Sequence, residues 1–139
     1  MTLPRPQRIV KPSTAFSLDG GRLLRRTRSQ SRDHRKWIAS LPCLITLSRR
    51  NVEAAHVRYA DRAYGKRMTG IGEKADDRFC VPLSREFHAE QHKGSERAFW
   101  AAHGIDPIAV ALSLWGCSGD DDAGEAVIRA ARERADGKR

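Results

Sequence analysis

The stretch Val81-Pro-Leu-Ser-Arg-Glu-Phe-His-Ala-Glu-Gln-His92 decides how this chain is read. It sets His88 and His92 four residues apart. On a helix that spacing stacks both imidazoles on one face, where they can share a single cation. Ser84 is a good N-cap type and Gly94 a good terminator. The pattern predicts a short helix opened by Pro82 and Ser84, ended at Gly94 and carrying Phe87, His88 and His92. Upstream, Glu53-Ala-Ala-His-Val-Arg58 supplies a lone His56.

Around that segment the chain alternates short apolar runs with punctuation. Trp37, Ile38 and Leu41 recur at helical spacing, which predicts a helix over 31–41 with Ser29 or Ser31 as N-cap and Pro42 as its stop. Cys43-Leu-Ile-Thr-Leu-Ser48 and Val52-Glu-Ala-Ala-His-Val-Arg-Tyr59 flank a polar Arg49-Arg50-Asn51 turn and read as the two strands of a hairpin. Residues 60–80, with Gly65, Gly70 and Gly72 among charged side chains, form a basic loop suited to a nucleic-acid backbone. Ser95 restarts a helix through Phe99 and Trp100 to Gly104. Asp106-Pro107, a capping residue followed by proline at the first helical position, launches Ile108–Trp115. A polar linker over 116–124 precedes a last amphipathic helix around Glu125 to Arg134.

At 139 residues, one domain with a modest core is expected. The formal charge is +9 and the isoelectric point about 10.2, which favour a polyanionic partner, nucleic acid before membrane. Residues 1–36 hold ten Lys or Arg against Asp19 and Asp33, so most of the excess lies at the N-terminal end. Residues 1–30 read as a disordered basic arm that tracks phosphates, 31–116 as the main domain with its flanking helices, and 117–139 as a polar linker and C-terminal amphipathic helix. The sequence shows no apolar run of membrane-spanning length and no signal-peptide pattern, so a cytoplasmic protein with no membrane partner is expected. Cys43, Cys80 and Cys117 are odd in number and scattered, which predicts reduced, mostly buried thiols.

The order is hairpin with a histidine, basic loop, then helix with His-x-x-x-His. This order resembles the ββα-metal layout of HNH, or His-Me finger, nucleases, and the resemblance implies an α+β fold class with a small ββα-metal core. Cutting a phosphodiester requires water to lose a proton as it attacks phosphorus. It also requires positive charge where the leaving and equatorial oxygens become more negative. A neutral imidazole near pH 7 suits the first task and a bound cation the second. His56 is therefore the candidate base, and His88 and His92 the candidate ligands of a divalent ion (Mg²⁺, Mn²⁺ or Zn²⁺), with water and substrate oxygens filling its other positions. Arg58, Arg62, Lys66, Arg67 and Arg85 are candidate phosphate contacts, each with a solvated surface as the alternative. Glu53 and Asp61 are possible extra carboxylate ligands, although nothing in their spacing singles them out. Trp37, Phe87, Phe99, Trp100 and Trp115 fall at helical apolar positions and read as core. His34 and His103 are assigned no part in the site.

The segments Arg35-Lys-Trp-Ile-Ala-Ser-Leu-Pro-Cys43, Glu53–Arg58, Asp77-Arg-Phe-Cys-Val-Pro-Leu83, His88-x-x-x-His92 and Glu96-Arg-Ala-Phe-Trp-Ala-Ala-His-Gly-Ile-Asp106 together resemble the phage and prophage HNH nucleases. That family includes the RecA-dependent nuclease Ref and YbcO-like proteins. The resemblance spans about residues 32–115 and implies metal-dependent cleavage of DNA, tied to phage recombination or repair, with a recombinase filament as a partner. Relatives carry four structural-zinc ligands where this chain has Cys43, Thr46, Ser84 and Phe87, so the resemblance implies a degenerate zinc site. No tetrahedral zinc can be built from that set. Packing by Cys43, Phe87 and Leu44 or Leu47, with Ser84 as an N-cap, is expected in its place. The residue before the base is Ala55 rather than a ligand, and the orienting Asn of the family falls at Phe79. Orientation of His56 must then come from a backbone carbonyl or from Asp77. Two functions are weighed: a DNA endonuclease, and a catalytically decayed HNH-scaffold protein that binds DNA as an accessory factor. A purely structural small domain is the third and weakest reading.

Overall fold

Ser31 begins the first helix, α1 (Arg32–Ser40), as an N-cap whose hydroxyl accepts the His34 N–H. A computed structural model of the chain describes residues 29–73 and 75–138. The predicted basic arm, except for its last two residues, lies outside the described residues. In α1, Ile38 is buried and Trp37 packs against the core, and the helix ends before Pro42 as expected.

The hairpin differs from the one predicted. Strand β1 (Val52–His56) pairs antiparallel with β2 (Cys80–Ser84), in the register Val52↔Ser84, Ala54↔Pro82 and His56↔Cys80. Cys43–Ser48 is a turn. Its Leu47 N–H returns to the Cys43 carbonyl at 2.8 Å, and Leu47 takes φ 61°, a left-handed value that breaks an extended run. The turn still docks on the sheet, because the Leu44 N–H donates to the Pro82 carbonyl at 2.9 Å. That bond lies on the outer edge of β2, so the missing N–H of Pro82 faces away from β1 and costs no ladder bond. Pro82 was expected to open a helix and instead lies mid-strand. All of Cys80–Leu83 is buried, which is why this strand shows no alternation.

Ser84 then caps α2 (Arg85–Gln91), followed by α3 (Glu96–His103) with Ser95 as its cap, and α4 (Pro107–Gly116) with Asp106 accepting two backbone N–H groups. The last helix, α5 (Asp121–Gly137), starts four residues before its predicted beginning. Asp120 caps it, and Asp121 and Asp122 in the first turn suit the positive end of the helix dipole. Gly124, read from the sequence as part of a linker, is a buried helical position. A Cβ there would lie 2.7 Å from Trp37 Cζ2, so its absence lets α5 lie directly on the indole.

Among the described residues the fold is a small α+β arrangement of five helices and one two-stranded antiparallel sheet. Helix α1 packs on both strands, α2 packs on both as well, and α4 bridges β2 to α5. The shared core includes Ile38, Leu41, Leu44, Ala55, Val81, Leu83, Trp100, Leu114 and Ile128. His34 is buried in this core, with Nδ1 2.7 Å from Ser118 Oγ and its ring edge-on to Trp115. Burial pulls its pKa below the ordinary imidazole value, against an opposing pull from Asp77. No helix among the described residues is long and apolar enough to cross a membrane.

Candidate functional site

His56 ends β1 where the strand leaves the sheet, and its ring is partly exposed, at 23% of the side chain. Its Nε2 lies 2.8 Å from Asp77 Oδ1. Asp77 opens a 3₁₀ turn (Asp77–Phe79) leading into β2 and is only 3% exposed. The other carboxylate oxygen accepts the Ser31 N–H at 2.8 Å and faces Arg35 Nε at 3.5 Å, so the N-terminal end of α1 anchors it. A carboxylate accepts but cannot donate, so the histidine proton belongs on Nε2 and the lone pair on Nδ1. Asp77, one of the two groups expected from the sequence to orient His56, is thus in hydrogen-bond contact with it.

The second group is on α2. His88 Nδ1 lies 2.8 Å from Glu53 Oε2, and Glu53 Oε1 accepts from Arg85 Nε at 3.0 Å. Hydrogen bonds from His88, then from Arg85, hold the Glu53 carboxyl below its ordinary range. With Nδ1 occupied, His88 keeps Nε2 for another partner, the arrangement by which carboxylates orient metal-binding imidazoles. The His88 and His92 ring centroids are 4.9 Å apart. Two rings at that separation can turn their nitrogens onto one ion with bonds of about 2.1 Å, so the pair fits a divalent metal. Glu53, a possible extra ligand from the sequence, hydrogen-bonds both His88 and Arg85.

The three predicted histidines do not merge into one cluster. Among the described residues, the group whose donor atoms all lie within 4.8 Å of one another is His56, Asp77 and Cys80, a set that could hold a metal ion. Cys80 was read from the sequence only as a buried thiol. Its place follows from register, since it sits directly opposite His56 and cross-strand partners share a face. Burial, then the charge of Asp77, pushes its pKa up. What joins the two histidine regions is Gln91, which sequence reading missed. Its buried amide donates to Glu96 Oε1 at 2.6 Å and to the His56 carbonyl at 3.4 Å, holding the end of α2, where His92 caps the helix, against the end of β1.

The basic candidates divide. Arg58 and Arg62 are exposed, and the Arg58 backbone N–H is held by Glu96. Arg67 pairs with Glu73 and Arg85 with Glu53, both with guanidinium groups open to solvent. Lys66 is not a surface contact. It is 5% exposed, and its Nζ donates to the Tyr59 carbonyl at 2.6 Å and the Arg67 carbonyl at 3.2 Å, while lying over the Phe79 ring. Burial lowers its pKa, and its ammonium is committed to holding the loop.

The four zinc-like positions are neighbours through hydrogen bonds. Cys43 Sγ accepts the Ser84 N–H at 3.3 Å, and Ser84 caps α2 at the Phe87 N–H. Burial pushes the Cys43 thiol up, but hydrogen bonds from the Thr46 side chain and from backbone at Thr46, Ser84 and Ile45 outweigh it, leaving its pKa lowered. Leu44 is buried against this turn, whereas Leu47 is exposed.

A family model described as a protein of unknown function (DUF968) matches residues 22–114, about two thirds of the chain. The chain belongs to that family. The DUF968 match covers α1, the hairpin, both histidine regions and nearly all of α4. No curated protein and no solved structure matches the chain.

Proposed function

We propose that this DUF968 protein is a metal-dependent DNA endonuclease of HNH type. The observation that carries the reading is the His56–Asp77 pair at the end of β1, the strand end to which Gln91 ties the helix bearing His88 and His92. His56 Nδ1 takes the proton from the attacking water. Asp77 fixes the tautomer and faces the positive charge that the ring then carries. His88, held by Glu53, and His92 are the residues that would hold a divalent ion. When bound, such an ion supplies positive charge where the phosphodiester oxygens become more negative.

Arg58 and Arg62, both exposed, would meet phosphates directly. Arg67 and Arg85 would exchange a carboxylate partner for a phosphate, a bidentate acceptor of similar geometry. The net charge of +9 favours a nucleic-acid partner. The resemblance to phage and prophage HNH nucleases supports DNA as substrate and a role in recombination or repair, with a recombinase filament as the proposed partner.

Purified protein incubated with supercoiled plasmid should nick it in Mg²⁺ or Mn²⁺, stop on chelation, and lose activity in His88→Ala and His92→Ala. Salt-sensitive DNA binding without cutting under any divalent ion would instead support the accessory protein with decayed catalysis.

A further inference from the structure

We propose that His56, Asp77 and Cys80 form a second cation site, specific for thiophilic ions such as Zn²⁺, whose occupation takes the base out of service. The functional consequence rests on the reading of His56 as the base; the site itself does not. Three elements build it. The β1–β2 register sets His56 opposite Cys80, and the 3₁₀ turn before β2 brings Asp77 to the same place. Their donor atoms lie within 4.8 Å of one another, compact enough for one ion to gather all three with small side-chain rotations.

The donor set determines which ion fits. A thiolate, an imidazole and one carboxylate oxygen suit zinc or cobalt, and a hard ion such as Mg²⁺ gains little from sulfur. Asp77 meets the ion with Oδ1, which now faces His56. Oδ2 keeps the Ser31 N–H, with the Arg35 guanidinium on its outer side. Asp77 and Cys80 are buried, so the ion enters past the partly exposed edge of His56, and water completes its coordination.

The proton balance links this site to catalysis. The Cys80 S–H bond breaks and its proton goes to solvent as the sulfur–metal bond forms. His56 binds the ion through Nε2, so its ring proton moves to Nδ1. The net release is one proton per ion, and Nδ1 no longer has a lone pair for water. Zinc at this site therefore opposes the ion that supports cleavage.

The test is titration of the protein with Co²⁺, followed by the thiolate-to-cobalt charge-transfer band. A double variant, Cys43→Ser with Cys117→Ser, leaves Cys80 as the sole thiol and should keep the band together with the proton release. Cys80→Ala should lose the band. Zn²⁺ added to Mg²⁺-supported cleavage should slow it by about 100-fold or more, the usual contribution of a positioned base, and Cys80→Ala should relieve this. Absence of the band from the double variant overturns the site, even if Cys80→Ala does not fold. A band with undiminished cleavage in zinc, or zinc inhibition that persists in folded Cys80→Ala, overturns the regulation. A protein that never cuts DNA but shows the Cys80 band overturns the endonuclease reading alone.

Discussion

Replacing Asp77 by Asn separates the proposed orientation of His56 as a base from everything else the site does. The two side chains have nearly the same shape, and the amide oxygen can still accept the Ser31 N–H now bound at 2.8 Å. The amide nitrogen then faces His56 Nε2 across the present 2.8 Å contact, donor against donor. Relief comes from moving the ring proton to Nδ1, which removes the lone pair that would activate water. A positioned base contributes about 10²–10⁴ in rate, so cleavage should fall by that factor. Stability should drop as well, by about 1–3 kcal/mol, because a charge-assisted hydrogen bond at a buried carboxylate is exchanged for a neutral one. Asp77 is buried and should not touch DNA, so affinity should hold. Single-turnover nicking rates, DNA affinity by fluorescence anisotropy and a denaturant melt read the three effects separately. A folded variant whose rate stays within about threefold of the parent, less than 1 kcal/mol of barrier, would refute the orienting role.

Other perturbations test the fold and the reassigned residues. Gly124→Ala would gain up to about 1 kcal/mol of helix propensity on an open surface, but here its Cβ meets the Trp37 indole at 2.7 Å. Overpacking should win, for a net loss of about 1–2 kcal/mol in urea unfolding; a gain would mean the indole moves aside freely. Lys66→Met should cost about 1–3 kcal/mol by leaving the Tyr59 and Arg67 carbonyls unpaired, with no change in the salt dependence of DNA binding. A flattened salt dependence would return Lys66 to the phosphate contacts. His34 has a folded pKa below its ordinary 6.5, so under acid the unfolded chain takes up a proton that the folded chain refuses. Its contribution is intact above the unfolded pKa and is lost as pH falls from there toward the folded pKa. The melting temperature should therefore drop as pH falls through and below about 6.5, and His34→Gln should flatten that slope.

Much of the helical framework was legible because its signals are local. Ser31, Ser84, Ser95 and Asp106 each cap the helix that follows, and the left-handed Gly104 ends α3. Strand pairing was not legible, because it is decided by partners far apart in sequence. Cys43–Ser48 has strand-like composition, yet Leu47 turns it back. Cys80–Ser84 contains a proline and no alternation, yet it pairs because both its faces are covered and Pro82 points outward. The site followed the same division. The His88/His92 spacing is a helical periodicity visible in sequence, and Asp77 could be named as one of two ways to orient His56. Cys80 and Gln91 could not, since one depends on register and the other on how α2 closes over β1. Lys66 misled because a lysine in a glycine-rich loop ordinarily lies in solvent.

The central claim is that His56 activates water for phosphodiester cleavage, and it is tested most directly by comparing the parent protein with His56→Ala on supercoiled DNA in Mg²⁺ or Mn²⁺. The expected result is nicking by the parent and a loss of about 100-fold or more in the variant, with DNA affinity and fold retained. Cleavage by His56→Ala at the parental rate would contradict it.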